Sequence, residues 1–152
     1  MSQPTEKPDL ELPGTDEQTP RRRALVVDDA PTVRMYHGGI LRAAGFVVEE
    51  AGNGFEALEA LLAQRFDLVV TDVNMPQMDG LTLVRRLRAE ALGRSVPVIT
   101  ISTESQESDA DAGYAAGANL YLVKPVAPDL LTRVAGLLTA PLPSSTPTGS
   151  RS

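Results

Sequence analysis

At 152 residues the chain has the length of one compact domain, at roughly 150 residues per domain, with little left over for a second folded unit. Fourteen Lys and Arg against twenty Asp and Glu leave a net charge of -6, which disfavours a surface built to neutralise nucleic-acid phosphates. Zero cysteines exclude disulfides, thiol catalysis and cysteine-ligated metals, and a single histidine excludes a multi-histidine site, so any bound metal has to be a hard, oxygen-liganded cation.

Hydrophobic residues make up 42% of the chain, enough for a real core. No stretch approaches the roughly 18 uninterrupted apolar residues of a membrane span, and the polar start lacks a signal-peptide apolar region. The expected location is the cytoplasm, with no membrane insertion and no nucleic-acid partner. Residues 1–20 carry four prolines and five acids (Glu6, Asp9, Glu11, Asp16, Glu17) against Lys7, without helical or strand periodicity. They are expected to be a disordered acidic, Pro-rich tail. From Ala140 the sequence runs PLPSSTPTGSRS, a second tail over 140–152 that cannot offset its ordering entropy by burial. The expected folded domain is 21–139.

Within it, short β-rich runs alternate with longer segments of helical spacing. The strands are expected at Ala24–Val27, Phe46–Glu50, Asp67–Thr71, Val96–Ser102 and Leu120–Val123, mostly rich in Val, Ile and Leu, as strands covered on both faces should be. Helices are expected at 31–44, 53–64, 79–92, 105–116 and 127–138. In the first, Val33, Tyr36, Ile40 and Ala44 form one apolar stripe predicted to face the sheet, and Gly45 supplies a C-cap. Gly38 and Gly39 inside it each cost about 1 kcal/mol relative to Ala, with no compensating feature in the sequence, so a loose helix is expected. Strands alternating with crossover helices give a parallel sheet, and five are too few for an eight-stranded barrel. An open, doubly wound α/β sheet follows, with its ligand site beyond the carboxyl ends of the strands.

Those ends are polar. The first strand stops at Asp28–Asp29, the third at Asp72, the fourth at Ser102–Thr103 and the fifth at Lys124–Pro125. Singly, each has an ordinary explanation as a turn residue, helix cap or solvated lysine. Together, three carboxylates at the mouth of an apolar sheet repel unless a cation neutralises them. Mg²⁺ and Lys124 would supply that charge, and Mg²⁺ commonly bridges a carboxylate to a phosphoryl oxygen, which suits Asp29 and Asp72. An unprotonated aspartate held there can attack a phosphoryl group to make an aspartyl phosphate.

VVDDAPTVR, TDVNMPQMDG, VITISTE and YLVKP, in that order and spacing, resemble the receiver domain of bacterial two-component response regulators, most of all the single-domain, CheY-like chemotaxis type. The resemblance covers about 24–138. It implies a flavodoxin-like (βα)5 sandwich with strand order 2-1-3-4-5. It implies Asp72 as phosphoacceptor, Asp29 as a direct Mg²⁺ ligand, Asp28 as a ligand through water and Asn74 as a ligand through its backbone carbonyl. Ser102 would be the switch hydroxyl, Lys124 the phosphate-contacting ammonium and Tyr121 the aromatic residue whose ring moves inward when the hydroxyl engages phosphate. With the tight turn that must follow the fifth strand, the resemblance also implies a cis Lys124–Pro125 peptide. Asn74 and Glu104, two residues after Asp72 and Ser102, would flank the path of a hydrolytic water and tune the lifetime of the phosphate.

This sequence has Ser102 where Thr is commoner, keeping the hydroxyl but losing a methyl that restricts the rotamer. The fourth helical segment and its approach carry Glu104, Glu107, Asp109 and Asp111 where the chemotaxis type carries lysines, so a partner surface bearing Lys or Arg is expected. Gly52-Asn53-Gly54 has no third glycine for a dinucleotide loop. His37 reads as structural rather than as a phosphate carrier, Asp79 as a helix cap, and Arg21–Arg23 as a solvated entry to the first strand. The expected function is that of a stand-alone receiver, a switch rather than a metabolic enzyme. It would take a phosphoryl group from a histidine kinase and pass the signal by binding a protein or by a phosphorelay. Its expected output face is formed by the fourth helix, fifth strand and fifth helix. Two alternatives are a Mg²⁺-dependent phosphohydrolase with an aspartyl-phosphate intermediate and a constitutive binding module. The first typically needs a second acid where Asn74 stands; the second is weakened by the full set of charged site positions.

Overall fold

The computed structural model describes residues 21–141; the expected tail over 1–20 and most of that over 140–152 lie outside the described residues. The elements are β1 (Arg23–Val27), α1 (Pro31–Ala43), β2 (Val47–Ala51), α2 (Gly54–Ala63), β3 (Leu68–Asp72), α3 (Gly80–Ala89), β4 (Val98–Ser102), α4 (Glu107–Ala116), β5 (Leu120–Val123) and α5 (Pro128–Thr139). All strand pairs are parallel, and the five-stranded sheet has the order β2-β1-β3-β4-β5. This is the expected doubly wound sandwich.

Alternation along the buried strands divides the core into two layers. Leu25, Val27 and Val69 point to one face and meet Ala57 and Leu61 of α2 and Leu83, Val84 and Leu87 of α3. Ala24, Val26, Leu68 and Val70 point to the other and meet Leu41 of α1 and Leu131 and Ala135 of α5. β3 and β4 are buried at every position, whereas the edge strands β2 and β5 are partly exposed, as covered central strands and open edges require. Among the described residues no helix is long and apolar enough to cross a membrane.

The expected apolar stripe of α1 is corrected. Tyr36 is exposed and the deepest positions are His37, Gly38 and Leu41, with Ile40 and Ala44 packing at the margin of the core. Gly38 lies against β2, where an added Cβ would stand 3.3 Å from both Arg42 and Glu50, whereas nothing explains Gly39. Gly45 adopts a φ of 101° just beyond the helix, the expected terminator. Arg23 is also corrected: it opens β1 and pairs with Glu49 and Gln64 rather than standing in solvent.

Candidate functional site

The strand register delivers the polar residues to one edge. Val27 lies opposite Thr71, Asp72 opposite Ile101 and Ser102 opposite Val123, so β1, β3, β4 and β5 end at one level and their next residues enter the same cleft. Asp28, Asp29 and Asp72 each place a carboxylate oxygen within 4.8 Å of the others. Asp28 is 2% and Asp72 5% exposed, while Asp29 faces solvent. The Lys124 ammonium stands 2.9 Å from Asp72 Oδ1 and 3.4 Å from Asp28 Oδ2. The Lys124–Pro125 peptide is cis, as expected, and the Lys124 backbone N–H donates to Ser102 O, which extends the β4–β5 pairing to the lysine.

Three carboxylates and one ammonium leave an excess of negative charge in a mostly dry site. Burial pushes the Asp72 carboxyl above its ordinary range; the hydrogen bond from Lys124 opposes this, and the charges of Asp28 and Asp29 add to it. Burial works against the Lys124 charge, but the hydrogen bond and charge of Asp72, helped by Asp28, outweigh it and hold the ammonium above its ordinary value. One ammonium therefore does not balance the cluster. Hard oxygen donors this close fit a small divalent cation, and Asp28, Asp29 and Asp72 are the side chains that would hold it.

Ser102 is wholly buried at the end of β4, and its Oγ accepts from Asn74 Nδ2 at 3.3 Å and from the Glu104 backbone N–H at 3.0 Å. Tyr121, half-buried on β5, donates its hydroxyl to the Glu104 carbonyl at 2.9 Å. The chain Asn74–Ser102–Glu104–Tyr121 thus joins the carboxylate cleft to the edge strand. The Asn74 and Glu104 side chains are exposed at the mouth of the cleft.

Gly80 fixes the floor. A Cβ there would lie 2.1 Å from the Asp72 carbonyl oxygen, so only glycine lets α3 start against the backbone of Asp72, where Gly80 N–H donates to Val73 O. Asp79 caps α3 by accepting from Thr82 N–H, and Asn53 caps α2 from the Gly-Asn-Gly turn.

Arg34 was not legible as a site residue. Its Nη1 donates to the Asp28 carbonyl at 2.8 Å while its Nε pairs with Glu50 on β2 at 3.0 Å, bracing the loop that carries the two aspartates. Its position six residues after Asp28, less than two helical turns into α1, is the only local signal, and the partner on β2 becomes visible only with the sheet order. His37 sits beneath the cleft, and burial holds its imidazole below its ordinary value, Asp28 opposing and Lys124 assisting.

Comparison with known proteins agrees with this geometry. The response regulator receiver domain family matches residues 24–135. The gliding motility regulatory protein of Myxococcus xanthus is 42% identical over 104 residues, which are 68% of this chain and 13% of that protein. The chain spans between 9% and 49% of the length of the first curated relatives it matches, which include a sensor protein and transcriptional regulators. Among solved structures, the chemotaxis protein CheY4 of Vibrio cholerae superposes with a TM-score of 0.75 at 34% identity, covering 78% of this chain and 99% of that one. The receiver domain of the sensor histidine kinase PA1611 from Pseudomonas aeruginosa, solved with a magnesium ion coordinated in its active site cleft, gives 0.74 at 29% identity, covering 80% and 100%. A family match over most of the folded chain and whole-domain superposition on such receivers coincide with the acidic cleft and its lysine: this chain belongs to the response regulator receiver domain family of two-component signalling.

Proposed function

We propose that this domain accepts a phosphoryl group from the phosphohistidine of a histidine kinase onto Asp72, in a Mg²⁺-dependent reaction, and thereby changes its affinity for a protein partner. The observation that carries this reading is the cluster itself: three carboxylates within 4.8 Å of one another with an ammonium 2.9 Å from the most central. An Asp72 carboxylate oxygen attacks phosphorus, the new O–P bond replaces the P–N bond, and the departing imidazole takes a proton from solvent. Lys124 moves from pairing a carboxylate to neutralising a phosphoryl oxygen. The Ser102 hydroxyl, whose oxygen already accepts two hydrogen bonds, retains its own hydrogen to donate to that group. Asp29 and Asp72, with Asp28 through water and the Asn74 backbone carbonyl, would hold a magnesium ion, which when bound would supply positive charge to the transferring oxygens.

Asn74 and Glu104 tune hydrolysis from the mouth of the cleft, and the domain acts as a cytoplasmic switch rather than as an enzyme on a diffusing substrate. Engagement of Ser102 pulls on Glu104 and so on Tyr121, carrying the change to the face made by α4, β5 and α5. The full chain incubated with acetyl phosphate and Mg²⁺ is expected to gain one phosphoryl group by intact-mass analysis. Labelling should vanish in EDTA and in Asp72→Asn; equal labelling in either would overturn the assignment.

A further inference from the structure

Arg34 stands in the first turn of α1, where the unpaired N–H groups of a helix start disfavour a positive charge. Its partners account for a long cation there. Nη1 donates to the Asp28 carbonyl at 2.8 Å, and Nε donates to Glu50 Oε1 at 3.0 Å. The other Glu50 oxygen accepts from Arg42 at 3.2 Å, so this carboxylate of β2 is itself held from two sides. Arg34 is half-buried, and among the described residues its ion-pair partner is Glu50 rather than any of the three cluster carboxylates.

What Arg34 grips is the peptide plane between Asp28 and Asp29. The Asp28 N–H already donates to Ala51 O at 3.2 Å, continuing the β1–β2 pairing, and Asp28 Oδ1 accepts from Ala30 N–H at 2.9 Å. The carbonyl is the remaining polar group of that backbone unit, and because a peptide bond is planar its direction also fixes the Cα of Asp29. Asp29 faces solvent, so this plane, rather than packing, aims its carboxylate into the cluster. Charge and position act in opposite senses here. A guanidinium bonded to Asp28 repels an arriving dication, whereas a fixed pair of aspartates spares the ordering that binding would otherwise require. We propose, resting on the Mg²⁺-dependent function given above, that Arg34 is a positioning residue for the cation. Through Glu50 it holds Asp28 and Asp29 in place, and its grip raises the affinity for Mg²⁺ by more than its charge lowers it.

Mg²⁺ titration of the full chain, followed by amide shifts at residues 28–30 and at Asp72, is the test. Arg34→Met should weaken binding about ten-fold, the size expected when the support of a metal ligand is lost. Arg34→Lys should weaken it comparably, because one ammonium cannot span both acceptors as the planar fork of arginine does. Glu50→Ala should match Arg34→Met, and the double variant should be no weaker than either single one. Glu50→Gln, which still accepts from Nε, should stay near the natural affinity, as should Arg42→Met, which shares Glu50 but does not touch the loop. Without metal, hydrogen exchange in Arg34→Met should quicken at the Asp28 and Ala30 amides and keep its natural rate in β3 and β4. Tighter binding by Arg34→Met, or natural affinity in Arg34→Lys, would mean that charge alone acts and would overturn the proposal, as would unchanged exchange at Asp28 and Ala30. A natural chain that binds no Mg²⁺ would overturn the proposed function as well. One that binds it no more tightly than Arg34→Met would overturn this inference alone.

Discussion

Asp72 combines two demands that conflict. In the proposed reaction it has to be ionised to attack phosphorus, yet its burial and its two acidic neighbours disfavour ionisation. A carboxyl raised above its ordinary value binds its proton more readily in the folded state. Ionising it as pH rises past the ordinary 3.8 therefore lowers folding stability, and the loss is complete above the folded value. Without a divalent cation, Asp72→Asn, which keeps the shape and removes the charge, should melt above the natural chain at pH 7. The gap should shrink as pH falls toward 4. Thermal unfolding in EDTA across that range is the measurement, and a variant less stable than the natural chain at pH 7 would show that the Lys124 pair outweighs burial. The carboxylates, Lys124 and Ser102 were legible in the sequence because each follows directly on an apolar strand. Arg34 and the burial of His37 were not, since each depends on which elements become neighbours in the fold.

At the scale of elements, strand and helix order followed from apolar runs and periodicity, and the errors have local causes. β4 begins at Val98 rather than Val96, because Pro97 has no N–H for the ladder and contributes only its carbonyl, to Val69 N–H. The third helix ends at Ala89, Glu90 is extended, and a separate 3-10 turn follows over Ala91–Gly93, rather than one helix running to 92. There Gly93 tucks under Leu87, where a Cβ would stand 2.0 Å from Leu87 Cδ1, and Arg88 gathers the carbonyls of Gly93, Val96 and Gly117. No sequence period reports such a long-range clamp. The α1 stripe was misassigned because a histidine and a glycine occupy its deepest face, and an apolar count passes over both. The close approach at Gly80 gives a sharper expectation. Gly80→Ala must push α3 off the Asp72 carbonyl, lowering stability by about 1–3 kcal/mol in denaturant unfolding. Labelling of Asp72 should slow as well; an unchanged midpoint and rate would contradict the role given to that contact.

Across the whole molecule, a chain of hydrogen bonds joins the carboxylate cleft to the edge strand, the route along which the proposed switch would act. Ser102 lies at the cleft and Tyr121 on the edge strand, and Glu104 bridges them through its backbone, accepting from Tyr121 and donating to Ser102. Beryllofluoride, which mimics an aspartyl phosphate, should shift amide signals at Ser102–Glu104, at Tyr121 and along α4, β5 and α5. Shifts confined to the loops around Asp72 would contradict the coupling. A bias of about 1–3 kcal/mol between two states alters partner affinity roughly 5- to 150-fold, which one dianionic group can supply. Glu107 and Asp111 make the α4 edge acidic, while Asp109 also accepts from Gln106 N–H at the start of that helix. A partner for this face should therefore present Lys or Arg and bind with an on-rate that falls with salt. The central claim remains the identity of the acceptor. Acyl phosphates are reduced by borohydride, so phosphorylation by acetyl phosphate followed by reduction leaves homoserine in place of the modified aspartate. Peptide mapping by mass spectrometry should find it at position 72 alone, and homoserine at 28 or 29, or at none of the three, would contradict the account.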